Sequence, residues 1–195
     1  MMKNRLIGLG VATLIGFPFM GLLILWLANR DLALLFRGVD NLASQLLVGS
    51  VVGIAFGWLA SKLLGMRFMQ PAVHKYIPLI AQMRLSTIGV VLLSICAGFG
   101  EELFFRGSLQ LFIGIWPTAI LFVAIHGYLN PMNWRISIYG IFMTVAIAAL
   151  GYLTEEMGIF TACAAHTFID IVLFRYLIQL SRGSLQKQTF AYENE

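Results

Sequence analysis

The stretch GFGEELFFRG, Gly98–Gly107, ends an apolar run that begins at Leu85 and sets Glu101, Glu102 and Arg106 inside it. An ionised side chain at bilayer depth costs about 2.5–3.5 kcal/mol even on the milder insertion scale, so three unpaired ones would cost roughly 7–10 kcal/mol. A single helix in lipid does not carry that. The charges need partners or a wet cavity, and therefore other helices packed around this one.

The chain around the stretch can supply them. Of 195 residues, 59% are hydrophobic and 11% charged, and the mean hydropathy is +0.86, whereas soluble domains carry about 25% charged residues. The formal charge of +4 does not indicate nucleic acid, because the basic residues stand singly between apolar runs. Cys96 and Cys163 lie within apolar runs without CxxC spacing, so they imply neither a disulfide framework nor a redox compartment.

A helix crosses the hydrocarbon layer in about 20 residues. Charge-poor runs fall at roughly Leu6 to Ala28, Leu42 to Leu64, Leu85 to Phe112, Trp116 to Tyr128, Ile136 to Thr154 and Gly158 to Leu180. They predict an all-α fold, a polytopic transmembrane helical bundle of about six spans. The first run is too long for a signal-peptide core and lacks an A-x-A-like cleavage site, so it is expected to remain as a span. The fourth is short and ends at the turn-like GYLNP, Gly127 to Pro131. Between spans two and three, RFMQPAVHKYIPLIAQMR reads as a loop with an interfacial helix. Residues 1–182 form one integral membrane domain in this reading, with the motif-bearing part at about 85–180, and residues 183–195 form a polar, frayed tail. With the N-terminus inside, Lys3, Arg5, Lys62, Arg67, Lys75, Arg84, Arg135, Arg182 and Lys187 fall on inner segments and only Arg30 and Arg37 on outer ones. That balance predicts both termini in the cytoplasm.

Gly49, Gly53, Gly57, Ser61 and Gly65 recur every four residues in the second span. The stripe predicts a packing seam where another backbone approaches closely.

The ionisable residues within spans are Glu101, Glu102, Arg106, His126, His166, Asp170 and Arg175. Glu102 and Arg106 stand at i and i+4 and can pair. Glu101 points about 100° away around the helix and is left free. His166 and Asp170 repeat the i, i+4 spacing, as do Phe122 and His126. At 1.5 Å per residue, Glu101 lies roughly 14 Å before the end of span three, His126 roughly 14 Å into span four and His166 roughly 12 Å into span six. All three are measured from helix ends on the same side, so they reach a common depth. Taken singly, a buried histidine is as readily an interhelical hydrogen-bond donor, and the Glu102–Arg106 pair a structural ion pair. Glu155 and Glu156 are expected in an interfacial loop, and Phe104 and Phe105 in packing or against lipid.

EELFFR, Glu101 to Arg106, resembles an EExxxR motif, FVAIH, Phe122 to His126, an FxxxH motif, and HTFID, His166 to Asp170, an HxxxN/D motif. In that order on separate spans, they resemble the CPBP intramembrane proteases, which include Rce1-type CAAX prenyl proteases and bacterial relatives linked to bacteriocin processing or immunity. The resemblance implies peptide-bond hydrolysis of a membrane-associated or lipidated peptide or protein at the bilayer, with no nucleic acid involved. It makes Glu101 the base that activates water, His126 a holder of that water, and His166 with Asp170 the oxyanion site. Glu102, Arg106 and Phe122 would support them. No cofactor is favoured. The donors Glu101, His126 and His166 would nonetheless be chemically adequate for zinc. An ion-coupled transporter or a non-catalytic immunity or scaffold protein would use similar residues.

Overall fold

The computed structural model describes the backbone of residues 2–38 and 41–193 and the side chains of residues 6–38 and 41–183. Among the described residues it is helical, without strands. The elements are α1 (Met2–Leu27), a 3₁₀ turn (Leu32–Phe36), α2 (Leu42–Gly65), a second 3₁₀ turn (Arg67–Met69), α3 (Gln70–Met83), α4 (Thr87–Phe104), a π turn (Phe105–Leu109), α5 (Gln110–Ile113), α6 (Ile115–Ile125), α7 (Trp134–Met157) and α8 (Ile159–Glu193). Among the described residues five stretches are long and apolar enough to cross a membrane: Leu6–Leu27, Leu42–Gly65, Thr87–Ile113, Trp134–Met157 and Ile159–Gly183. The expected fourth span contains only the shorter apolar helix Ile115–Ile125.

α8 is the central post. The expected glycine seam on α2 packs against it: a Cβ on Gly49 or Gly53 would overlap the carbonyl oxygens of Thr161 or Ala165, and one on Gly57 would come 2.9 Å from Val172 Cβ. Gly98 does the same for α4, since a Cβ there would meet the Thr167 backbone nitrogen at 2.8 Å. Close approach of three backbones is what the small residues permit.

The two ends of the bundle are pinned differently. At one end Gly38 and Gly158, both with positive φ, abut between α1–α2 and α7–α8. The Gln45 amide donates to Gly38 O there, and its side-chain oxygen accepts from Phe160 N. At the opposite end Phe68 stacks on Trp134 at 5.9 Å, and Arg135 Nε donates to Phe68 O at 2.7 Å. α6 starts beside Ile113, at the Gly38 end. Its 11 residues rise only about 16 Å, little more than half of a hydrocarbon layer of about 30 Å. The segment 126–133 completes the pass to Trp134 without a helix. Non-helical backbone at such depth is tolerated where it lines a cavity or is buried in protein.

The helix expected between spans two and three is α3, whose Ala72, Val73 and Ile77 are buried. Two expectations are corrected here. Glu155 and Glu156 belong to the last turn of α7, not a loop, and Glu155 accepts from Gln110 Nε2 at 3.1 Å. The backbone after Arg182 continues α8 to Glu193 instead of fraying, because extending an existing helix is far easier than starting one and no Gly or Pro interrupts residues 184–193. Of the charges used for orientation, the side chains of Lys3, Arg5 and Lys187 lie outside the described residues.

Candidate active site

The site starts from the stretch that opened the sequence reading. Glu102 and Arg106, fully buried, form the expected pair, with Arg106 Nη1 donating to Glu102 Oε1 at 2.9 Å. Arg106 Nη2 donates to Ile147 O at 2.8 Å, which ties the pair to α7. The guanidinium also lies 5.2 Å from the centre of the Phe122 ring. Arg106 stands in the π turn, which Gly107 presses against the α1–α2 connection. A Cβ at Gly107 would lie 2.7 Å from Leu35 O.

Sequence spacing gave His166 only Asp170 as a partner. In the fold, His166 Nδ1 lies 2.8 Å from Glu102 Oε1, so that one carboxylate oxygen accepts from both the arginine and the imidazole. Asp170 Oδ2 lies 3.8 Å from the other ring nitrogen, Nε2. The two residues are separated by 64 positions, and no local spacing could have shown the contact.

Glu101 points away from this cluster, as the helix geometry predicts. Its Oε2 lies 3.5 Å from His126 Nε2, and the side chains are 13% and 31% exposed. By strict geometry Oε2 has no hydrogen-bond partner, although it is buried. His126 Nδ1 lies 2.7 Å from Phe122 O. A carbonyl oxygen can only accept, so Nδ1 carries the proton and a neutral ring presents a bare Nε2 to Glu101.

A cavity of about 190 Å³ is lined by Glu101, His126, His166 and Asp170 together with Phe122 and apolar residues of α7 and α8. The expected convergence at one depth is therefore present in the geometry. A second cavity of about 320 Å³ under α3 shares His126, Tyr128, Tyr139, Asp170, Leu173 and Phe174 with it, so the two adjoin. Tyr128 and Tyr139 line both, and the sequence reading missed them. Phe105 is buried, 4.9 Å from Phe122, and takes the packing alternative.

The donors Glu101, His126 and His166 do not form a chelate. Among the described residues no three His, Cys, Asp or Glu side chains come together as a ligand set. His166 Nδ1 is engaged by Glu102, which leaves Nε2 as the ring nitrogen open to Asp170 or to a ligand.

Helices able to cross a membrane, wrapped around a carboxylate and imidazole cavity, define a class of intramembrane site chemistry. Residues 83–172 match the family described as type II CAAX prenyl endopeptidase Rce1-like. That range contains all three motifs. An uncharacterized protein of Bacillus subtilis, YpbD, is 37% identical over 86 residues, which cover 43% of this chain and 42% of that protein. This chain thus aligns with less than half the length of the curated relative it matches. No solved structure matches it.

Proposed function

We propose that the chain is an intramembrane endopeptidase that hydrolyses a peptide bond of a membrane-associated or lipidated peptide or protein. The observation that carries this reading is the Glu101–His126 contact on the cavity wall, where Oε2 and Nε2 face one another at 3.5 Å, both acceptors when the ring is neutral. A water beside them donates one hydrogen to each and turns its oxygen lone pairs toward the cavity. Glu101 takes a proton as that oxygen adds to the scissile carbonyl carbon. The carbonyl becomes an oxyanion. When the tetrahedral intermediate collapses, the C–N bond breaks and the amine leaves with the proton held by Glu101.

His166 answers to the oxyanion. Glu102 holds its Nδ1–H, so donation from Nε2 requires the imidazolium, and Asp170 supplies a carboxylate facing that second N–H. A preformed donor of this kind acts strongly where bulk water is sparse. Arg106 offsets the charge of Glu102, which leaves that carboxylate to orient His166 rather than to react. The mechanism is metal-free, and turnover that persists after chelator dialysis is its expected signature.

The apolar space under α3 suits a substrate segment drawn from the bilayer. We place the chain in a bacterial inner membrane from its likeness to a bacterial protein, with both termini in the cytoplasm from the charge balance; labelling of single cysteines from either side of sealed vesicles checks the orientation. The decisive experiment compares membrane peptides by mass spectrometry from cells with active and Glu101→Gln protein. A cleavage product that vanishes with Glu101→Gln is expected; undiminished cleavage by a folded Glu101→Gln variant would remove Glu101 as the base.

A further inference from the structure

His126 is a surprising place for a residue that must aim a lone pair. It ends α6, its backbone forms the helix cap, and nearly a third of its side chain is exposed. A hydrogen bond from Nδ1 to Phe122 O restrains one edge of the ring but leaves the plane free to tilt about that bond. What fixes the plane is aromatic. The Phe122 ring lies on one side, 4.4 Å away and tilted by 23°, and the Tyr128 ring stacks at 5.9 Å and 20°.

The chain reversal that brings Tyr128 there is encoded locally. Gly127, with φ of 76°, occupies the left-handed position after the helix. Its N–H bonds to Ala124 O and that of Tyr128 to Val123 O, the paired bonds of a Schellman cap. Such a cap returns the residue after the glycine toward the last turn, here over the histidine. Tyr128 is held from behind by the edge of Tyr139, at 5.1 Å and 88°, itself buried. Its carbonyl sits where a Cβ on Gly140 would be, so the loop rests directly on the α7 backbone.

We propose that Tyr128 is a positioning residue: its ring closes an aromatic clamp with Phe122 that fixes the plane of His126 and so aims Nε2 at Glu101. The role of this aim in water activation rests on the proposed function, whereas the clamp itself does not. The flat face of Tyr128 is what matters, not its hydroxyl or its volume.

The test replaces Tyr128 by Phe, which keeps the face, and by Leu, which keeps apolar bulk without it. In purified protein with ring-¹⁵N histidine, the His126 signal, assigned against a His126→Gln control, reports the tautomer. Wild type and Tyr128→Phe are expected to hold the proton on Nδ1, and Tyr128→Leu to average both tautomers. On a peptide that the wild type cleaves, Tyr128→Leu is expected to lower kcat about 10- to 100-fold with KM within about 3-fold, since misaiming by an ångström costs that order. Tyr128→Phe is expected to stay within about 3-fold of wild type in both. A Leu variant that matches the Phe variant in tautomer and kcat overturns the proposal, as does a loss confined to KM. If the wild type cleaves no peptide, the proposed function falls and the tautomer readout alone decides the clamp.

Discussion

Arg106 holds three partners at once: the Glu102 carboxylate, the Ile147 carbonyl and the face of Phe122. Its removal would leave the buried Glu102 carboxylate with His166 but without its arginine, so Arg106→Ala is expected to destabilise the bundle by about 3–5 kcal/mol in a denaturant titration. Arg106→Lys keeps the charge but has no planar fork to reach both oxygens, and its midpoint should fall between. Glu101→Gln should separate cleanly from both. Its Oε2 holds no hydrogen bond and only approaches His126 Nε2 at 3.5 Å, so the unfolding midpoint should stay within about 1 kcal/mol of wild type while peptide cleavage disappears. The distinction between the adjacent glutamates was legible in the sequence because it follows from 3.6 residues per turn. The shared oxygen of Glu102 between Arg106 and His166 was not, because the partner arrives from a helix 64 residues later.

At the scale of elements, the short α6 and its glycine cap decide where His126 sits. Gly127→Ala forces a Cβ into the left-handed region, which costs about 1–2 kcal/mol. Since the strain falls on the residue next to His126, cleavage should drop by more than the stability loss explains, a difference read by comparing kcat with the melting midpoint. Gly127 was visible as a turn signal, yet the bonds it makes were not, because a helix stop predicts an end without predicting which side chain folds back. α3 was only half legible. Pro71 lies in its first turn, where no N–H is missed, but Pro78 inside the helix made the stretch read as broken. The π turn left no signal, since its extra residue accompanies the approach of the Leu35 backbone to Gly107.

For the whole molecule, the α2–α8 seam is the contact that organises the rest. Gly53→Val puts branched bulk against the backbone of Ala165, which cannot swing aside like a side chain. It is expected to cost at least about 1–3 kcal/mol and to reduce the yield of folded protein in gel filtration, whereas Leu47→Val on the exposed face of α2 should behave as wild type. The four-residue stripe announced a seam, and only the fold could name its partner. The helical bundle was likewise readable from hydropathy, but not that its fourth apolar run holds only a short helix. That short helix has a consequence for the surrounding lipid. With the proposed placement in a bilayer, the apolar α6 flank, about 16 Å tall, is expected to draw the leaflets inward toward the level of Glu101 and His126. The dent shortens the distance a polar peptide bond travels through oil, and thicker bilayers resist it. Turnover in vesicles made from progressively longer phospholipids should therefore decline steadily, while the same protein in detergent micelles escapes the penalty.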